Sequence, residues 1–264
     1  MINELYPAIS DDERIDRINE NLSLIQKKKG LTFGTDAYLL SAFAKSMPKD
    51  IAYDLGCGTG VTTLLCMARN KYKKMYAVEI QKAFSQLADK NAKLNGLDGV
   101  CEIVPEDVRS ADKFPFAGSV SCVISNPPYM PKGSGKAPAS DEMNQARREE
   151  NGTIKDFCRA AAVLLKHGGL FYTVYRPDRL SELIYSLREN KLEVKKLVYV
   201  YPDIKSPPCL VLTESKKGAS PSVKTARPLI IYRDGDLTKQ RKYTEDMDRI
   251  YSEFSLDFLF EKQK

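Results

Sequence analysis

The sequence predicts an α/β protein that is built around a mostly parallel β-sheet. From residue 51 onward, short apolar segments alternate with segments of helical periodicity, which is typical of successive βαβ units. A glycine-rich turn at residues 56–60 follows the first of these apolar segments. Near residues 192–215, two further apolar segments are joined by the short turn PDIKSPP, which indicates a hairpin. We therefore expect a parallel sheet that closes with an antiparallel pair of strands.

The predicted elements follow in chain order. Residues 22–33 are expected to form a hairpin around Lys27-Lys28-Lys29-Gly30, and a helix with an apolar face should cover residues 37–44, with Thr35 or Asp36 as its N-cap. The predicted strands are IAYDL, KMYAVEI, CEIVP, SVSCVI and LFYTVY, and predicted helices cover about residues 59–69, 82–95 and 155–166. The last two strands are LEVKKLVYVY and CLVLTES.

Length and composition limit the class of protein. At 264 residues the chain has material for one large domain with small additions. The six cysteines include no Cys-x-x-Cys pair and lie mostly in apolar segments, so we expect buried thiols in a reducing compartment and no zinc site. No segment resembles a signal peptide or a membrane span, which predicts a cytoplasmic protein. The single histidine, His167, argues against histidine-based hydrolysis.

The glycine-rich turn contains Gly56, Gly58 and Gly60 and follows Asp54 at the end of the first predicted strand. Glycines let the backbone turn tightly and approach a ligand, and the following helix N-terminus offers free N–H groups. Glu79 ends the second strand, where a carboxylate can accept both hydroxyls of a ribose. The Gly-x-Gly-x-Gly spacing is tighter than the Gly-x-Gly-x-x-Gly that usually binds a pyrophosphate. This pattern predicts a cofactor that carries a nucleoside.

The third and fourth predicted strands also end in polar residues. Asp107 follows the third strand, where an acid and neighbouring backbone groups can read the amino edge of an adenine. The segment SNPPYM follows the fourth, and its prolines make an edge that is rich in acceptors and poor in donors. A planar group with an NH₂ can donate to the Asn126 side chain and the Pro127 carbonyl and stack on Tyr129. Adenine, guanine, cytosine and a carboxamide all fit this description.

These motifs, in this order, resemble class I S-adenosylmethionine-dependent methyltransferases, and Asn-Pro-Pro-Tyr resembles those that methylate amino groups. Segments such as GLTFGTDAYLL, DLGCGTG, SNPPYM and PCLVLTESKKG resemble bacterial tRNA adenine-N6 methyltransferases that modify the adenosine beside the anticodon of a valine tRNA, over about residues 13–232. The resemblance implies a Rossmann-like seven-stranded sheet, mostly parallel with an antiparallel C-terminal hairpin. It also implies S-adenosylmethionine as cofactor and tRNA as partner. We expect a monomer that needs no metal and no membrane.

The predicted site and domains can be stated by residue. The expected catalytic residues are Asn126, Pro127 and Tyr129, and the expected cofactor-binding residues are Thr35, Asp54, Gly56, Gly58, Gly60, Glu79, Asp107 and Asn126. Two positions depart from the family pattern, because Cys57 stands where Thr is more frequent and Arg148 stands where His is common. We expect an N-terminal extension with a hairpin at residues 1–34, a methyltransferase core at 35–215, and a basic C-terminal segment at 216–264 packed on or beside the core.

Other activities remain open. Glutamine methylators of translation factors use the same motif on a carboxamide, although they generally carry a helical domain before the glycine turn. Guanine-N2 methylation of RNA is a closer alternative. A third possibility is a protein that binds RNA and cofactor without turnover, and the intact Asn126 and Tyr129 argue against it.

Positive charge concentrates late in the chain. Residues 188–242 hold 13 Lys and Arg against 6 Asp and Glu, whereas the net charge of the whole chain is +6. This surplus fits either a solvated surface or a site for a polyanion. For the second case we predict phosphate contacts from Lys195, Lys196, Lys216, Lys217, Arg241 and Lys242.

Overall fold

The computed structural model of the chain describes residues 7–28, 34–128, 152–233 and 242–261. The sequence-based predictions for Lys29, Gly30, Tyr129, Arg148 and Arg241 lie outside these ranges. All other predicted site residues lie within them.

A central sheet of nine strands organises the described residues, and a separate two-stranded hairpin precedes it. The strands are β1 (Glu13–Asn19), β2 (Leu22–Lys27), β3 (Met47–Leu55), β4 (Tyr72–Val78), β5 (Cys101–Val104), β6 (Val120–Ser125), β7 (Leu165–Tyr175), β8 (Leu192–Tyr201), β9 (Leu210–Lys217), β10 (Lys224–Thr225) and β11 (Leu229–Ile230). The helices are α1 (Thr35–Phe43), α2 (Val61–Met67), α3 (Lys82–Leu94), α4 (Ile154–Leu164), α5 (Leu180–Glu189) and α6 (Glu245–Glu253).

Across the sheet the strand order is β10-β8-β9-β7-β6-β3-β4-β5, and β11 also pairs with β8. The pairs from β5 to β7 are parallel, whereas β9 runs antiparallel to both β7 and β8. The predicted seven-stranded sheet with an antiparallel C-terminal hairpin is therefore confirmed. The short strands β10 and β11 extend it beside β8, and their two-residue lengths explain why no periodicity revealed them.

The sheet is buried on both faces. One face packs with α1, α2 and α6, through residues such as Leu40, Leu64 and Met247. The other face packs with α4 and α5, through residues such as Phe157 and Leu187. Burial on both faces accounts for the nearly continuous apolar character of the central strands, such as VSCVIS in β6.

The N-terminal segment contains a hairpin. β1 pairs with β2, and the turn lies at residues 20–21, so Leu22–Lys27 is the second arm of this hairpin. The predicted hairpin over residues 22–33 stays a prediction, because residues 29–33, which would form half of its turn and its second arm, lie outside the described residues. The hairpin docks on α3 because the Asn91 side chain accepts from the Ile25 N–H (2.6 Å) and donates to the Ile25 carbonyl (3.2 Å).

The predicted helices α2, α3 and α4 are confirmed, with ends shifted by one or two residues, whereas α5 and α6 were not predicted. Helix α1 starts at Thr35, and its N-cap is Gly34 rather than Thr35 or Asp36. The buried Lys71 ammonium donates to the carbonyls of Ser41, Ala42 and Ala44 at the other end of this helix. No described helix is both long and apolar enough to cross a membrane.

Candidate active site

Several predicted site residues come directly after residues that are paired with one another in a row across the sheet. In the parallel pairing, Ser125 of β6 is in register with Leu55 of β3, Leu55 with Val78 of β4, and Val78 with Val104 of β5. Asn126, Gly56 and Glu79 are each the next residue after a member of this row. The four strands therefore end at one level, and their functional segments share one edge of the sheet. Such carboxyl edges are the usual ligand sites of open α/β sheets.

The glycine turn between β3 and α2 uses a left-handed backbone at Gly56, Gly58 and Gly60, with φ of 69°, 55° and 84°. These angles strain any residue with a Cβ. A Cβ at Gly56 would also lie 3.0 Å from the Phe157 ring, whereas a Cβ at Gly58 would meet no described atom within 4 Å. Gly58 therefore faces open space at the edge where a cofactor is expected, and the bare turn leaves room for one.

Glu79 binds the glycine turn to the end of β4. Its Oε2 accepts the Gly58 N–H at 3.0 Å, and its Oε1 accepts the Gln81 N–H at 2.8 Å. The residue is only 5% exposed, and burial raises the pKa of its carboxyl, although the backbone donors oppose this shift. A carboxylate has about four acceptor positions, so positions remain for the two hydroxyls of a ribose.

Asp54 lies beneath the turn rather than at its surface. It is 1% exposed, and its Oδ2 accepts from the Thr63 hydroxyl of α2 at 2.8 Å. Burial raises the pKa of Asp54 to about 7, the Thr63 hydrogen bonds oppose the shift, and the nearby Glu79 carboxylate adds to it. The described contacts therefore make Asp54 a support of the turn. Its expected contact with cofactor stays a prediction.

Asp107 caps the short 3₁₀ helix Val108–Lys113 by accepting the Arg109 N–H at 2.9 Å. The Arg109 guanidinium also pairs with both carboxylate oxygens and holds the pKa of Asp107 below its ordinary value. The carboxylate is therefore held at the end of β5 in an acceptor-only form, which suits an amino edge. Adenine recognition by Asp107 stays a prediction.

Asn126 and Pro127 lie at the end of β6, beside the glycine turn. The Ser125 hydroxyl donates to the Leu55 carbonyl at 2.7 Å, which holds the ends of β6 and β3 together. Pro127 is buried, and Asn126 is half-buried. The Asn126 side-chain nitrogen donates to Asp36 Oδ2 at 2.9 Å, so the N-terminus of α1 also belongs to this edge.

The link to Asp36 was missed by the sequence-based prediction, which considered this residue only as a helix cap. The predicted cofactor residue Thr35 is the first residue of α1, directly before Asp36. The only sequence signal was the position of Gly-Thr-Asp before an apolar helix, and it does not name a partner 90 residues further on. The catalytic roles of Asn126 and Pro127 and the cofactor role of Thr35 stay predictions.

A basic cavity of about 740 Å³ lies away from this edge, near the amino ends of β3 and β4. Its charged lining consists of Lys45, Arg69, Lys71, Lys195, Lys196 and Lys216 with Glu214, Glu253 and Asp257. Lys196 pairs with Asp257 at 3.2 Å, and Lys217, outside the cavity, donates to two carbonyls at the end of α4. Lys195 donates to the Ser220 carbonyl at 3.0 Å, so three of the lysines predicted to contact phosphates have partners within the protein. Among the described residues, Lys45, Arg69 and Lys216 make no ion pair.

The chain matches the model of the family described as methyltransferase small domain over residues 26–189, which is more than half of its length. A tRNA1(Val) (adenine(37)-N6)-methyltransferase from Pectobacterium carotovorum is 33% identical over 164 residues, which cover 60% of this chain and 62% of that protein. A protein of the same name from Porphyromonas gingivalis is 30% identical over 182 residues, covering 64% of this chain and 70% of the relative. The chain thus spans slightly less than two thirds of the Pectobacterium protein.

Among solved structures, a protein from Agrobacterium tumefaciens that is described as a predicted O-methyltransferase superposes with a TM-score of 0.67. It is 20% identical, and the match covers 84% of this chain and 97% of that chain, so it bears on the fold alone. The sheet order, the glycine turn and the family match agree with one another. The chain belongs to the methyltransferase small domain family and has the fold of class I S-adenosylmethionine-dependent methyltransferases.

Proposed function

We propose that this protein transfers a methyl group from S-adenosylmethionine to N6 of an adenosine beside the anticodon of a valine tRNA. The observation that carries the proposal is the position of Asn126, an amide acceptor at the same sheet edge as the glycine turn and Glu79. Family membership supports the reaction type, and the names of the two bacterial relatives support the tRNA substrate.

The residues of this edge fit the cofactor. The open space at Gly58 admits a ligand against the backbone, and the buried Glu79 carboxylate keeps acceptor positions for ribose hydroxyls. Asp107 would read the adenine of the cofactor, and Thr35 would lie beside it at the start of α1. When bound, S-adenosylmethionine supplies a methyl group on a sulfonium, which is already a strong electrophile.

Because the methyl group needs no further activation, the protein's task is to orient the accepting amine. The Asn126 side-chain oxygen and the Pro127 carbonyl would each accept one N–H of the adenine amino group. These hydrogen bonds pull the amine towards tetrahedral geometry, and they strengthen as positive charge develops on nitrogen. The proton leaves the methylated amine for solvent. Tyr129, which lies outside the described residues, would stack on the base, an interaction of about 1–3 kcal/mol.

The test is transfer of labelled methyl from S-adenosylmethionine to bulk tRNA from a strain that lacks this protein, followed by mass spectrometry of the nucleosides. We expect N6-methyladenosine in a valine tRNA. The matched variant Asn126→Ala should lower turnover by roughly 100-fold or more, with cofactor affinity within a few-fold, because an oriented acceptor is lost.

Three other outcomes would replace the proposal. Label in N2-methylguanosine of the tRNA would assign a guanine substrate. Label in the glutamine of a translation factor, supplied as substrate in a parallel reaction, would assign the carboxamide alternative. Absence of transfer to either class, together with tight binding of cofactor and tRNA, would identify a binding protein without turnover. Unchanged turnover in Asn126→Ala would remove the assigned role of this residue.

A further inference from the structure

The side-chain amide of Asn126 is held by a residue from another part of the chain. Asp36 lies in the first turn of α1, and its Oδ2 accepts the Asn126 Nδ2–H at 2.9 Å. Its other oxygen, Oδ1, accepts the Ala37 N–H at 2.9 Å. Both carboxylate oxygens are therefore engaged, and the carboxylate has a defined orientation relative to the end of β6.

Space for this arrangement is provided by Gly34. A Cβ at this position would collide with Asp36 Oδ1, since the carboxylate folds back over the residue that precedes the helix. The backbone of Gly34 is extended (φ −112°, ψ 158°), so the need for glycine here is steric rather than conformational. Any larger residue at position 34 would displace the Asp36 carboxylate.

The chemistry of the pair decides which way the Asn126 amide faces. An ionised carboxylate only accepts hydrogen bonds, so the nitrogen of the amide must face Asp36 and the oxygen must face away from it. Without this partner, the Asn126 amide could rotate about its last side-chain bond. The oxygen and the nitrogen would then exchange places, because the two ends of the amide have similar shapes. A reversed amide would present an NH₂ to the incoming amino group, and two donors repel each other.

We propose that Asp36 is a positioning residue for methyl transfer, because it holds Asn126 Nδ2 and thereby directs Asn126 Oδ1 at the amino group that receives the methyl. This inference rests on the proposed function for the substrate, but any amino group, including that of a carboxamide, would need the same orientation. Asp36 acts through Asn126 and does not touch the reacting atoms.

A double-mutant cycle tests the proposal with wild type, Asp36→Asn, Asn126→Ala and the double variant. Asp36→Asn keeps the shape but can donate to Asn126 Oδ1, so it permits the reversed amide. We expect kcat to fall roughly 10- to 100-fold, while KM for tRNA and the cofactor Kd stay within about threefold. In the Asn126→Ala background the same substitution should have no further effect, because coupled residues are not additive.

Two additional variants separate this role from a general loss of structure. Gly34→Ala displaces the carboxylate without removing it and should likewise lower kcat only when Asn126 is present. Asp98→Asn removes an equal charge from an exposed position and should behave as wild type. Thermal unfolding of each variant identifies any that fails to fold.

Several results would overturn the proposal. They are an unchanged kcat in Asp36→Asn, independent multiplicative losses in the double variant, or a loss confined to cofactor affinity, which would assign Asp36 to the cofactor instead. If the wild type methylates neither tRNA nor protein, NMR can test the hydrogen bond between Asp36 and Asn126. The Asn126 side-chain NH₂ resonance reports on this bond and is identified by its loss in Asn126→Ala. A resonance that does not move in Asp36→Asn would refute the contact, whatever the substrate.

Discussion

Glu79 Oε2 accepts the N–H of Gly58 at 3.0 Å, and this bond joins the end of β4 to the glycine turn that follows β3. The same carboxylate accepts from Gln81, so one buried acid determines the conformation of two adjacent strand ends. A cofactor that uses the remaining acceptor positions of Glu79 would bind to a turn that is already in place.

Removal of this carboxylate should weaken cofactor binding. Glu79→Ala loses a charged acceptor and its support of the turn, and hydrogen bonds to charged groups contribute about 1.5–3 kcal/mol. We therefore expect the S-adenosylmethionine Kd to rise by roughly 10- to 150-fold in calorimetry. Asp98→Ala, at an exposed carboxylate before β5, is the matched control and should bind normally. Equal affinity in the two variants would show that Glu79 does not bind the cofactor.

The open space beside Gly58 predicts that an added methyl group there would weaken cofactor binding more than it weakens folding. Gly58→Ala adds a methyl group where no described atom lies within 4 Å, so its cost to folding should be only the strain of a positive φ, about 1 kcal/mol. The same substitution should weaken cofactor binding at least about 10-fold, because the methyl group fills the ligand's space.

Gly118 provides the control for this prediction, since it also has a positive φ (79°) and open space but precedes β6 at the opposite edge. Gly118→Ala should show a similar loss of stability with unchanged cofactor affinity. If both alanine variants bind cofactor equally well, the cofactor does not approach Gly58.

The pKa of Asp54 predicts how stability depends on pH. Burial raises this pKa to about 7 from the model-peptide value of 3.8, so the folded state holds the proton more tightly than the unfolded state. The contribution of Asp54 to stability is therefore greatest below pH 4 and is lost as pH rises towards 7, by up to about 4 kcal/mol.

Asp54→Asn stays neutral in both states and should lack this loss. In urea unfolding without cofactor, the variant should gain stability relative to wild type as pH rises from 4 to 8, whereas Asp98→Asn should follow wild type. Parallel pH profiles for wild type and Asp54→Asn would mean that Asp54 is ionised when folded.

The basic cavity shows which residues to test for phosphate contacts. Lys195, Lys196 and Lys217 have hydrogen-bond or ion-pair partners inside the protein. The test therefore uses Lys45, Arg69 and Lys216, which line the cavity and make no ion pair among the described residues, each replaced by glutamine. If these residues contact tRNA phosphates, the triple variant should bind tRNA more weakly, and the slope of log K against log salt should flatten by roughly 0.7–0.9 per lost contact.

Cofactor affinity should not change in the triple variant, since the cavity and the glycine turn lie at opposite ends of β3. A control triple at exposed lysines outside the cavity, Lys49, Lys113 and Lys166, removes the same charge. An identical salt slope in the two triples would show that the cavity is solvated surface. The phosphate contacts would then have to lie elsewhere.

The succession of strands and helices along the chain, their parallel pairing and the segments at the carboxyl edge could be predicted because each has a local cause, whereas the seven-stranded topology was implied by the family resemblance. Alternating apolar and helical periods predict βαβ units, and Gly56, Gly58 and Gly60 follow the first strand at a spacing that a ligand-binding turn requires. Handedness then places successive strand ends at one edge, which is why Glu79, Asp107 and Asn126 could be grouped from the sequence.

Only the tertiary structure decided the contacts between distant segments. The docking of β2 on α3 depends on Asn91, which binds Ile25 from 66 residues further along the chain. The position of Lys217 against the end of α4 and that of Asp36 against Asn126 depend on packing across 52 and 90 residues of chain. A polar side chain's partner is chosen by whichever donor or acceptor the packed elements bring within about 3 Å, and no local pattern records that choice.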